Sequence, residues 1–166
     1  MYNELVSNII SAVSAIAGVF ATVFAAFELR NSRKANAERT KRERKESTVS
    51  AYNILQNQVL DRLVVIRPDE VVTTIENLDD IRLRDAYNDY KALIARCEHF
   101  AVGINEGVYD FDVLYKLSGE HLIYLYKKVE PIINHARENC ANSIPFCEFE
   151  TMVTRLDERI KSEREG

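Results

Sequence analysis

Tryptophan is absent, and glycine (five), proline (three) and cysteine (three) are scarce in the 166 residues. So few glycines and prolines argue against collagen-like, linker-rich and turn-rich all-β architectures. Cys97, Cys140 and Cys147 do not make a disulfide framework and fit a reducing compartment. Six residues separate Cys140 from Cys147, unlike the short cysteine pairs of structural zinc sites. Spacing brings none of His99, His121 or His135 to them either, so no metal is expected. Wholesale disorder is excluded by a chain that is 46% hydrophobic and 29% charged.

Charge itself is missing from one long stretch. Between Glu4 and Glu28 lie twenty-three residues without Asp, Glu, Lys or Arg. As a helix rising ~1.5 Å per residue they reach roughly 35 Å, against a hydrocarbon core of ~30 Å. This predicts one transmembrane helix over residues 6–27, after a short external tail at 1–5. A cleaved signal peptide would carry a basic region first, but the only early charge is Glu4. An interfacial helix would carry Lys or Arg along one face, and this one has none.

The flanks set the orientation. No Lys or Arg precedes the segment, whereas Arg30, Arg33, Lys34, Arg39, Lys41, Arg42, Arg44 and Lys45 come after it. The positive-inside bias places the C-terminal bulk in the cytoplasm of a bacterial inner-membrane protein, with the N-terminus outside. Ser14, Gly18 and Thr22 stand four apart on one helix face, where small side chains let a second helix approach; this predicts a homo-oligomer. The plainer reading is that small residues are common in membrane helices.

Residues 28–48 are read as a basic helical stalk. It has almost nothing to bury, but Arg39 with Glu43 and Glu38 with Arg42 stand at helical ion-pair spacing. Arg30, Arg33 and Lys34 are close enough to the bilayer to meet anionic lipid headgroups. Nucleic acid is not expected as a partner, because no aromatic interleaves these basic residues and acids interrupt them.

From residue 49 to 162 the apolar spacing is helical. Val49, Tyr52, Leu55, Val59, Leu63 and Ile66 form one stripe, which ends at Arg67-Pro68. Asp69–Leu78 reads as a short helix, with a strand as the local alternative. A stripe from Ile81 to Ile104 comes next, with Asp79 or Asp80 as its cap. Gly107 then sits at a left-handed helix end, Asp110 caps the next helix, and Tyr109 with Leu114 takes the staple positions. That makes a helical hairpin. In the segment 111–137, Leu117 joins the expected core, Pro131 should end or kink the helix, and Tyr126, Lys127 and Lys128 should lie outside the core stripe. A last helix covers about 146–162, and 163–166 is a tail. The fold class is therefore all-α: a membrane helix, a stalk and a four- to five-helix cytosolic bundle.

The stretches HFAVGINEGVYDFDVL (99–114), YLYKKVEPIINHARE (124–138) and FCEFETMV (146–153) resemble a bacterial family known only as domain of unknown function 4760. The resemblance covers about residues 49–160, and Gly107–Asp110 match the family's Gly-Val-Tyr-Asp turn. It implies a leading membrane helix, a basic stalk and this helical module, and it implies no catalytic residues.

No enzyme site stands out. Asp110 with Asp112 is explained by a cap and a first-turn carboxylate. Gly103 and Gly107 come after no strand and no basic residue, so they form no phosphate loop. The tyrosines Tyr87, Tyr90, Tyr109, Tyr115, Tyr124 and Tyr126 crowd the hairpin, as interface residues or as core residues bonded at their tips. The expectation is a non-catalytic protein without a cofactor. It binds the bilayer and an unidentified cytoplasmic protein as a recruiting module or scaffold. The alternative is a membrane effector, of a toxin or phage-defence type, whose oligomerised helix perturbs the bilayer; the polar Ser7, Ser11 and Ser14 favour it.

Overall fold

The structure, a computed structural model, describes residues 2–140 and 144–165. Of residues 2–23, 25 and 26 it describes the backbone alone. The described residues are helical and contain no strand: α1 (Tyr2–Leu55), a π turn (Gln56–Leu60), α2 (Asp61–Val65), α3 (Pro68–Glu76), α4 (Ile81–Asn105), α5 (Phe111–Glu138) and α6 (Cys147–Glu165). The segment read as Asp69–Leu78 is thus helical to Glu76, with Asn77 and Leu78 in the turn that follows, and not a strand.

The chain divides into two compact units, Met1–Glu43 and Arg44–Gly166. In the first unit, α1 carries an exposed surface over residues 27–43, and Arg39 Nε donates to Glu43 Oε1 at 2.8 Å, in keeping with their spacing. Phe24 and Phe27 are 63% and 61% exposed. Among the described residues no helix is long and apolar enough to cross a membrane. The expected span at 6–27 falls mostly on positions whose side chains lie outside the described residues, and so do Ser14, Gly18 and Thr22.

The second unit is a helical bundle with one core. Leu63, Ile94, Ile104, Leu114, Leu122, Leu125, Ile132, Ile133, Phe149, Met152 and Leu156 have almost no exposure. Each contributes about 1.5–3 kcal/mol relative to an exposed position. Helix α4 packs against α5 and α6, and α3 against α4 and α5.

The turns obey local chemistry. Ile66 and Arg67 are extended (ψ 133° and 146°), and Pro68 then opens α3 at the position where its missing N–H costs nothing. Asp80 caps α4 by accepting from the Arg82 amide at 2.8 Å. At the far end of α4, Gly107 has φ +71°, the left-handed conformation that glycine adopts without strain. Its amide donates to Ile104 O, and the Tyr109 amide donates to Gly103 O at 2.9 Å. Asp110 Oδ1 then accepts from the Val113 amide at 3.0 Å and starts α5.

Three expectations need correction. Helix α5 runs unbroken past Pro131; its non-helical residue is Ser118 (φ −160°, ψ 23°). Both Pro131 and Lys127 face solvent, so water can meet the Lys127 carbonyl that the proline leaves without a donor. Ser118-Gly119 contains the weakest helix formers of this stretch and takes the inside position, leaving Leu117 45% exposed. Val49 and Ile81, placed in the core stripes, are also exposed. Finally, Tyr126 and Lys128 are buried, each at 8% exposure.

Tyr109 is held by a missing side chain. Its ring stacks on Phe100 with centroids 5.4 Å apart, and it lies where a Cβ on Gly103 would stand, 2.5 Å from the ring edge. Gly103→Ala must therefore push the ring out. We expect it to cost about 1–3 kcal/mol, measured as the shift of the urea unfolding midpoint of the chain, whereas an exposed Gly→Ala change inside a helix stabilises.

Candidate functional site

The residues that carry polar function in the module lie at junctions between helices. Thr48 is fully buried near the end of α1. Its hydroxyl donates to Arg44 O at 2.8 Å and accepts from the Asp110 amide at 2.7 Å. Arg44 Nη1 donates to Gly107 O at 3.2 Å. The turn Gly107–Asp110, read from the sequence as a hairpin turn, is thus also the place where the end of α1 docks.

The N-terminus of α6 is held by a residue from α4. Glu98 Oε1 accepts from the Glu148 amide at 3.1 Å, and Oε2 from the Phe149 amide at 2.7 Å. A carboxylate there satisfies amides that have no partner inside the helix and faces the positive end of its dipole. Asn105 adds a second tie, donating to Glu148 O and Oε2 and accepting from Arg155. From α5, Arg137 donates to Pro145 O at 3.1 Å and pairs with Glu150 at 2.7 Å. Those bonds hold Phe146 at φ +65°, a conformation that non-glycine residues rarely adopt.

Sequence reasoning misses Lys128. Its Nζ donates to Val64 O at 2.6 Å, meeting a carbonyl that the break before Pro68 leaves open. Burial lowers its pKa, opposed by the nearby Glu70 charge. Tyr90 donates to Glu70 Oε1 at 2.7 Å, and burial, with that carboxylate, pushes its phenol up to about 12. The tips of Tyr87 and Tyr115 meet His135 and Glu163. Most of the tyrosines are therefore structural. Cys97 is a core residue, in keeping with its stripe position, and burial pushes its thiol up to about 12.

A groove of about 400 Å³ lies between the end of α1, the π turn and α4. Leu55, Val59 and Phe100 are buried along it, while Ile54 is 55% exposed at its edge. Tyr109 closes one side. Its lining carries one fixed charge, the guanidinium of Arg96, beside the imidazole of His99, both exposed, and no acidic side chain. Arg96 Nη1 makes one long bond, 3.4 Å, to Gln58 Oε1. Gln58 belongs to the π turn, whose wider ring is closed by the Asp61 amide donating to Gln56 O. There two consecutive residues, Val59 and Leu60, are both buried. Such turns occur often at functional sites. An apolar floor with convergent polar groups is the geometry of a binding groove.

Of the other sites expected from the sequence, Arg30, Arg33 and Lys34 are exposed along α1 in the first unit. Among the described residues no three His, Cys, Asp or Glu side chains gather as a metal site.

These features describe an all-helical module with a hairpin turn, a capped last helix and a mixed groove beside the π turn. The chain belongs to the family described as a domain of unknown function (DUF4760), which it matches over residues 9–156. No curated protein and no solved structure gives a significant match.

Two outcomes test the junctions. Glu98→Ala removes the cap of α6 and should cost about 1–2 kcal/mol, read from denaturant unfolding, whereas Glu98→Gln should recover part of that loss. Cys97 has its pKa raised from 9.0 to about 12 on folding. Its contribution to stability is therefore complete below pH 9 and is lost as pH climbs toward 12. Cys97→Ala should flatten the fall in stability measured between about pH 9 and 10.5.

Proposed function

We propose that this protein is a single-pass, membrane-anchored helical module that binds other proteins at the cytoplasmic face of the bacterial inner membrane without catalysis. The observation that carries the reading is the charge pattern: twenty-three uncharged residues between Glu4 and Glu28, then eight basic residues within the next seventeen. A helix over 6–27 spans the hydrocarbon core, and the basic run retains the module on the cytoplasmic side. The exposed Phe24 and Phe27 suit burial in lipid near its boundary. Arg30, Arg33 and Lys34 lie next to them in sequence, at the depth of anionic headgroups, where each adds about 1 kcal/mol. Ser14, Gly18 and Thr22 supply a face for pairing of anchors. The groove beside the π turn is the surface that meets a protein partner, because its floor is apolar and its rim is charged.

A second reading, an oligomeric effector that perturbs the bilayer, draws on Ser7, Ser11 and Ser14, which would line a polar path if the helices assembled.

Membranes from cells expressing the chain should keep it in the pellet after an alkaline carbonate wash. Protease added outside spheroplasts should spare residues 44–166. Release of the intact chain, or digestion of the module from outside, defeats the anchor. Collapse of the membrane potential on induction, followed with a potential-sensitive dye, would instead favour the effector.

A further inference from the structure

We propose that the groove beside the π turn receives the outer face of α3 from a second copy of this chain. This deepens the protein-binding reading, on which it rests, by naming the partner and the two surfaces that meet.

The groove is a cationic feature on an acidic module. Residues 47–166 hold fourteen basic and twenty-one acidic side chains, yet the groove has Arg96 and His99 and no acid. The guanidinium of Arg96 makes only the long bond to Gln58, and His99 has no hydrogen-bond partner among the described residues. Ile54 stands exposed at the same edge. A fitting partner surface must bring carboxylates flanking a small apolar side chain.

The outer face of α3 has that composition. Asp69, Val72 and Glu76 are spaced three and four apart, which puts them on one helix face, and all three are exposed. Val71 and Thr74, on the opposite side, are fully buried, so the helix cannot turn this face inward. Val72 is 45% exposed. Arg67 lies 3.9 Å from Asp69, both of them exposed, which leaves Glu76 as the carboxylate with no ion-pair partner among the described residues. With Val72 against Ile54 and Phe100, Glu76 can reach Arg96, a helix-in-groove contact of small area.

Groove and α3 face share no residue, so a copy engaged through one can still offer the other. The net negative charge of the module opposes close approach of copies, so a contact between them has to set opposite charges against each other. A contact this small is weak by itself, but anchoring copies in one membrane plane raises their effective concentration. The result is a chain of copies along the cytoplasmic face, which added salt loosens.

The test uses the full chain in detergent, followed by sedimentation velocity over a range of protein concentrations at low salt. The wild type should grow in mass with concentration. Arg96→Glu and Glu76→Arg should each weaken that growth about tenfold. The double variant, which restores opposite charges, should return to within about threefold of the wild type. Ile54→Asp should abolish growth. Both reversed positions are exposed, so circular dichroism and thermal midpoints should stay unchanged; if Arg96→Glu does unfold the chain, Glu76→Arg and its salt dependence carry the same test. A wild type of constant mass overturns the proposal. So does growth that ignores all three single variants, as pairing of the anchors alone would produce, and so does a double variant without recovery. Carbonate extraction of the same variants reports the anchor separately: a chain that washes free yet obeys the charge swap loses the anchor and keeps the pairing.

Discussion

A single buried hydroxyl organises the module. Thr48 carries no exposed surface, and its oxygen meets both the Arg44 carbonyl and the Asp110 amide. An unpaired hydroxyl or amide at such depth would cost about 1–3 kcal/mol, so each of these groups requires the others. The Asp110 amide is the one that Asp110 presents while its own side chain caps α5. Where α1 ends, where α4 turns and where α5 begins are therefore one problem. The groove inherits its shape from that solution, since Ala51 and Ile54 come just after Thr48 on α1 and Tyr109 precedes Asp110 in the turn.

The second junction obeys the same logic with charge in place of a hydroxyl. Glu98 lies one residue from His99 on α4, so the helix that caps α6 with one side chain lends the next to the groove. Arg137 secures the approach to α6, where the backbone of Phe146 is strained. Glu98 and Asn105 tie α4 to α6, Arg137 ties α5 to the same approach, and Thr48 ties the end of α1 to the turn that follows α4. Among the described residues no buried side-chain nitrogen or oxygen lacks a partner. Groove residues such as Arg96 and His99 are exposed, so their unused bonding capacity is met by water and open to a ligand.

Much of this is legible in the residue pattern. Gly107 and Asp110 announce the hairpin because a left-handed helix end and a helix cap each demand a particular residue type. Arg67-Pro68 marks a break for an equally local reason. The errors have a common origin in register. Pro131 reads as decisive, but its cost depends on whether the carbonyl it orphans faces water, and it does. Ser118 reads as ordinary, yet it interrupts α5, and Leu117 loses its place in the core as a result. The stripe through Val59 and Leu63 is visible, but the extra residue of the π turn, which buries Leu60 as well, leaves no signature in a pattern of threes and fours. Lys128 reads as a surface residue because its acceptor, the Val64 carbonyl, belongs to a helix end sixty-four positions earlier.

The all-helical class, the positions of the turns and the long uncharged stretch come from the sequence alone, because each depends on neighbours within a few residues. The groove cannot be read that way. Ile54 and Gln58 come from one helical run, Arg96 and His99 from another, and Tyr109 from a turn. Only packing brings them together, with an amide–hydroxyl bond from Asp110 to Thr48 spanning sixty-two residues. Local chemistry chose the elements; long-range burial, which no short window can register, chose which side chains share a surface.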